Sequence, residues 1–286
     1  MCIASYSDYR KDFYQNFTKP NNLDYCSKHN IEYIDFTENI EPIRGNYVWV
    51  KPYILDDLLN NKFKDGDLII CIDADIAIAN HKIEFTLNDG KSYGYAIDSA
   101  NTHNMGFYIV RNNSWSRNMI KLMIDDERYE HYIDKETVHE RFKTKSSFWR
   151  GYNEQASWYS MAGIKRHSDI SFWDLESYGW NSDCDDWTVY DINELVENVQ
   201  LFDSKYNVTE LGFETHGTFN INKVKYFEVI NRHFAGSQDW NSSWLNTNKF
   251  KLTLYFFNPL RVVKFLIDKY GPRFSGKIRK IVSNYK

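Results

Sequence analysis

Continuous apolar runs and helical spacings alternate along this chain. Leu68–Ile72 is an unbroken apolar run behind the Gly66-Asp67 break, the pattern of a strand buried on both faces. Cys2–Ser5 is a shorter apolar start, and Ile31–Phe36 reads as a second strand after the helix-like Asn22–His29. Tyr93–Ile97 and Phe107–Val110 read as further strands. Val48–Leu59 has helical spacing, with Pro52 tolerable in a first turn. Ser114–Met123 and Asn153–Met161 read as helices too. Buried strands alternating with helices predict an α/β fold, a mostly parallel central sheet flanked by helices. In such sheets ligands sit beyond the carboxyl ends of the strands, which is where Asp73-Ala74-Asp75 falls.

Composition narrows the class. A chain of 286 residues suits one core, or one catalytic domain plus an appendage, and the expected division is 1–245 and 246–286. Hydrophobic residues at 42% and charged residues at 26% exclude a disordered chain. Nine Trp and 21 Tyr offer flat faces with polar handles that suit sugar rings, although AT-rich coding produces the same bias. Cys2, Cys26, Cys71 and Cys184 form no CxxC and no zinc spacing, so they read as reduced thiols. No leader-like start is visible, and no apolar run approaches the roughly 18–20 residues of a membrane span. The expected location is therefore the cytoplasm. From Arg261 onward eight basic residues face one aspartate, a local balance of +7, which leaves −11 on the rest of a chain of net charge −4. An acidic body argues against a nucleic-acid partner, and only the tail suits an anionic one.

Asp73 and Asp75, one residue apart at the exit of a buried strand, make a hard-oxygen site for Mn²⁺ or Mg²⁺. A turn after a strand favours Asp in any case, so the pattern takes its weight from the apolar run before it. No GxxxxGK[ST] or GxGxxG is present, so P-loop and dinucleotide readings lack their phosphate cradle.

Six stretches from Asn22 to Trp240 together resemble glycosyltransferase family 34, the galactosyl, mannosyl and xylosyl transferases of fungal and plant type. They are Asp24-Tyr25-Cys26 with His29–Glu32; Trp49-Val50-Lys51 followed by Leu55; Ile72–Asp75; Asn104–Asn112 continuing to Trp115-Ser116; Glu154-Gln155-Ala156; and His233–Gly236. Family 8, the glycogenin and lipopolysaccharide-galactosyltransferase type, fits second best, and Arg111-Asn112 with Trp115-Ser116 favours family 34. Both families imply a GT-A fold, here with a C-terminal helical tail. Both also imply retaining, metal-dependent transfer from a nucleotide sugar, such as a UDP-hexose or UDP-xylose, to an oligosaccharide, polysaccharide or lipid-linked glycan.

The resemblance implies a role for each matching residue. His233 would be the third metal ligand beside Asp73 and Asp75, reaching the site from a distant loop, with His216 in reserve; imidazole tilts the choice towards Mn²⁺. Ala4, Ser5 and Tyr6 would hold nucleobase and ribose, with Asp73, Asn104, Gly106, Gly236 and Gln238 completing the donor site. Gly106 would let a sugar approach the backbone. Gln155 would lie near the anomeric carbon with Glu154 beside it, orienting the donor's hydroxyls. An amide does not readily form a glycosyl ester, so a front-face path guided by the leaving phosphate is expected. Arg111, Asn112 and Trp115 are expected to organise the following helix instead.

Two departures matter. The family usually has Lys where this chain has Gln238, so charge compensation for the diphosphate must come from elsewhere, with Arg232 and Lys249 as candidates. The family's membrane anchor has no counterpart, which suggests a cytosolic glycan pathway. The rival classes are a metal-dependent nucleotidyltransferase, which would want a phosphate loop, and a non-catalytic carbohydrate-binding protein, which would be mostly β. Trp173, Trp180 and Trp187 could stack on sugar or fill core. Beyond Asn258-Pro259 a helix to Tyr270 is expected, then an amphipathic basic segment suited to an anionic membrane surface.

Overall fold

The computed structural model describes residues 2–6, 14–36, 49–97, 103–125, 154–164, 179–182, 184, 187–207 and 231–233, with the backbone alone at 2–6, 232 and 233. The expected 245/246 boundary and the helical tail lie outside these residues.

Six strands form the central sheet. β1 (Cys2–Tyr6) lies between β2 (Glu32–Phe36) and β3 (Leu68–Asp73), parallel to both. Beyond β3 come β6 (His103–Arg111), β5 (Tyr93–Ile97) and β7 (Val199–Phe202). β6 runs against both its neighbours while β7 is parallel to β5, so every strand except β6 points the same way. The protein is thus the mixed α/β, mostly parallel sheet that the apolar runs predict.

The Leu68–Ile72 run is divided between two cores, because successive strand residues face opposite sides. Ile69 and Cys71 join the layer formed by α2 (Val50–Asp57), α3 (Ser114–Met123), α4 (Glu154–Met161) and α5 (Ile192–Asn198). Ile70 and Ile72 face α1 (Lys19–His29), the short strand β4 (Ile76–Ile78) and Phe85. Leaving either face bare would expose buried apolar side chains, so both must be covered.

Some bounds differ from the sequence expectation. α1 starts three residues earlier than expected, with Pro20 in its first turn, where a missing N–H costs nothing. α2 runs on into a π-helical turn, Leu58–Lys62. β6 starts at His103, four residues before Phe107, and so takes in Asn104 and Gly106. His233 stands at the end of a strand, β8 (Asn231–His233), paired antiparallel to β4, and not on a loop. β4 and β8 are too short to produce a period of their own. Trp180 is buried, and its Nε1 donates to Tyr95 Oη at 3.0 Å. It fills core and offers no sugar platform.

Candidate active site

The site grows from the carboxyl end of β3. The pairing of β1 with β3 sets Tyr6 level with Asp73 and Ser5 level with Ile72, while β2 sets Asp35 level with Ser5. The ends of three parallel strands therefore open at one edge, where the fold predicts ligands.

Lys51, in the first turn of α2, is buried and points at this edge. Its ammonium donates to Asp73 Oδ1 at 2.7 Å, to Met105 O at 2.9 Å and to Glu154 Oε1 at 3.0 Å. An ammonium has three protons, and all three are used. Burial alone would lower the Lys51 pKa, but the Asp73 and Glu154 carboxylates outweigh it and hold the side chain charged. Burial pushes Glu154 up, the Lys51 charge draws it back, and Asp73 pushes it up again. Glu154 is 6% exposed, and its Oε2 has no hydrogen-bond partner among the described residues. Such an orphaned acceptor asks for a donor from a ligand.

Beside Lys51 the sheet breaks its ladder. Tyr95 pairs with Tyr108, but the next residue, Ala96, pairs with Asn104, so Met105, Gly106 and Phe107 bulge out of the β5–β6 register. Side chains satisfy the freed backbone groups. Met105 N–H donates to Gln155 Oε1 at 3.1 Å, Met105 C=O accepts from Lys51, and Gly106 N–H donates to Asn104 Oδ1 at 2.8 Å. A backbone N–H can only meet an acceptor, which fixes both amide oxygens inward. Asn104 and Gln155 thus offer a ligand their N–H₂ ends. Gln155 Nε2 also lies 3.4 Å from Tyr159 Oη, a long contact.

The 111–116 stretch organises structure, as expected. Asn112 Nδ2 donates to Leu59 O and Phe63 O, both at 2.8 Å, tying β6 to the π-helical turn. Asn113 caps α3 in a reciprocal box with Ser116. Arg111 donates to Lys91 O and Leu87 O, and Trp115 Nε1 to Glu194 Oε1 at 2.9 Å.

Past Asp73 the chain turns through Ala74 and Asp75, which is 7% exposed, into β4. β8 sets His233 level with Ile76, the residue after Asp75. A contact remote in sequence therefore brings the backbone of the third expected ligand to the other two. Among the described residues no three His, Cys, Asp or Glu side chains gather into a metal-binding group; the His233 side chain lies outside them. So do His216, Gly236, Gln238 and Lys249, and the side chains of Ala4, Ser5, Tyr6 and Arg232. The donor chemistry fits a hard divalent ion. With all ionised, Asp73, Asp75 and Glu154 against Lys51 leave −2 at this edge.

Sequence reasoning missed Lys51 as a site residue. Its W-x-K context was visible, but a lysine in a helix normally faces water, and only the fold shows it buried. Its three protons are committed, so Lys51 has none left to offer a ligand.

The class defined by the coordinates is a mixed α/β protein with a polar, charged edge at the carboxyl ends of its parallel strands. No protein-family model and no curated protein matches the sequence. Among solved structures, the chain is similar to a glycosyltransferase involved in the glycosylation of the major capsid of PBCV-1, at 12% identity over 90% of this chain and 98% of that one, TM-score 0.45. It is similar to the galactosyltransferase LgtC in complex with donor and acceptor sugar analogues, at 13% identity over 89% and 95%, TM-score 0.46. A third is the glycosyltransferase GlyE of Streptococcus pneumoniae TIGR4, at 9% identity over 88% and 63%, TM-score 0.39. At such identities the likeness is one of chain course and says nothing about donor, acceptor or metal.

Proposed function

We propose that this protein is a retaining glycosyltransferase that moves a sugar from a nucleotide-sugar donor to a glycan hydroxyl with the help of a divalent metal ion. The observation that carries the reading is the β4–β8 register. It sets His233 beside the Asp73–Asp75 turn, at the strand edge where Lys51, Glu154 and Gln155 converge. Asp73, Asp75 and His233 would hold the ion, Mn²⁺ in preference to Mg²⁺. When bound, the ion would neutralise charge developing on the diphosphate leaving group.

The chain's own residues divide the remaining work. Glu154 Oε2 is the acceptor left for a hydroxyl of the donor sugar. Lys51 keeps Glu154 and Asp73 at a fixed separation without touching the donor. Asn104 and Gln155 turn N–H₂ groups to the edge, and the inward Gln155 oxygen argues against its attack on the anomeric carbon. That leaves a front-face path, in which the leaving phosphate takes the acceptor proton. Ala4, Ser5 and Tyr6, at the adjacent strand end, would hold the nucleoside.

The basic tail would rest the enzyme on an anionic membrane at its cytoplasmic face, where lipid-linked acceptors are found; its charge balance supports this. The test of the main reading is donor turnover. Donor hydrolysis and transfer should stop in EDTA and return with Mn²⁺, and Asp75→Ala should cost at least about 10²-fold. Full activity in EDTA would sink it.

A further inference from the structure

Of the residues expected to carry the ion, Asp75 adjoins β4 and His233 ends β8, and these two strands make a fragile element. β4 and β8 span three residues each and form a sheet of two strands, which is marginal on its own. Something else must hold β4 at its height beside β3.

That support comes from α1. Asn22 is completely buried, and its side-chain amide binds β4 twice: Nδ2 donates to Ile76 O at 2.9 Å and Oδ1 accepts from Ile78 N at 3.0 Å. Asn21 Nδ2 adds a bond to Ile78 O at 2.8 Å. Backbone groups of successive strand residues face opposite edges, so Ile76 and Ile78 present theirs to α1 and Ala77 faces Arg232 of β8. The Asn22 amide takes the place of a neighbouring strand. One turn earlier, the buried Thr18 hydroxyl donates to Ala74 O, the carbonyl between Asp73 and Asp75. The apolar side chains of Ile76 and Ile78 pack with Tyr25 and Cys26 of the same helix.

We propose that Thr18 and Asn22 are positioning residues for the metal centre. They hold Ala74–Ile78 between α1 and β8, so that the backbone bearing Asp75 stays level with the backbone bearing His233. The inference rests on the metal-dependent reading above. It predicts that α1, which supplies no ligand, sets metal affinity.

The test uses the full chain with Mn²⁺ as probe, in the presence of uridine diphosphate, following free Mn²⁺ by electron paramagnetic resonance. Thr18→Val keeps the side-chain shape and removes only the hydroxyl, so the chain should still fold. It should bind Mn²⁺ about tenfold or more weakly, the usual scale for losing a group that orients a ligand. Thr18→Ser restores the hydroxyl and should restore the affinity. Asn22→Asp keeps an acceptor for Ile78 N–H but repels the Ile76 carbonyl, and should weaken binding to a similar degree. Parent affinity in Thr18→Val and in folded Asn22→Asp overturns the proposal and leaves the α1 contact a matter of stability alone. If the unaltered chain takes up no Mn²⁺, the metal-dependent reading falls, and this proposal with it.

Discussion

Lys51 Nζ stands 2.7 Å from Asp73 Oδ1, across 22 positions of sequence, and the same ammonium reaches Glu154 at 3.0 Å. A buried cation thus lies between two carboxylates that would otherwise repel each other.

Removing that cation should be costly. Lys51→Met leaves buried charge uncompensated and should lower stability by about 3–5 kcal/mol, measured by urea denaturation with circular dichroism. Adding Glu154→Leu should recover part of the loss, since one uncompensated carboxylate disappears with it. A loss in the double variant equal to the sum of the two single losses would mean that the pair is not coupled.

Gln155 should matter to turnover more than to donor binding. Gln155→Ala removes the acceptor for Met105 N–H and frees the 105–107 bulge, so kcat should fall while KM for the donor changes little. Gln155→Glu keeps an acceptor there and should retain more activity than Gln155→Ala. The purified product of an α-linked donor should be α-linked, read from its anomeric proton coupling. A β product excludes the retaining route.

His81 should make the fold acid-sensitive. Burial, the largest cause, lowers its pKa from the ordinary 6.5, against the Ile78 carbonyl and Asp24, which raise it; Lys28 and His29 lower it further. The folded state therefore resists a proton that the unfolded chain accepts. The His81 contribution is complete above about pH 6.5 and is lost as pH falls through the folded pKa. Thermal unfolding between pH 7 and 5 should show a smaller loss of stability in His81→Gln than in the parent. Parallel pH profiles would remove His81 as the cause.

The basic tail should direct the protein to anionic vesicles. Flotation should require anionic lipid and weaken with salt, since each basic residue near the surface is worth up to about 1 kcal/mol. Removing 272–286 should abolish it while activity on a soluble acceptor remains. Unfolding of the truncated chain, or indifference to anionic vesicles at low salt, makes the tail structural.

Much of this protein was legible without coordinates, wherever the signal is local. The buried run Leu68–Ile72 predicts its strand because five adjacent apolar residues leave no face for water. Ser114–Met123 keeps its predicted bounds because Asn113 and Ser116 close a capping box within four residues. The turn through Ala74 and Asp75 follows from its place at the end of that strand. What the sequence could not determine is remote or irregular. The strand pattern begins only at Phe107 because the backbone groups of Met105 and Gly106 are met by the side chains of Lys51, Gln155 and Asn104, which strand periodicity does not record. β4 and β8 leave no pattern over three residues. Only folding decides that Asn22 and His233, 211 positions apart in the sequence, flank the same strand. The lone Lys51 reads as a solvated helix residue until two carboxylates from other elements close on it. Local preference is encoded residue by residue, whereas the pairing of remote polar groups is chosen by burial, which leaves each of them no partner except the others.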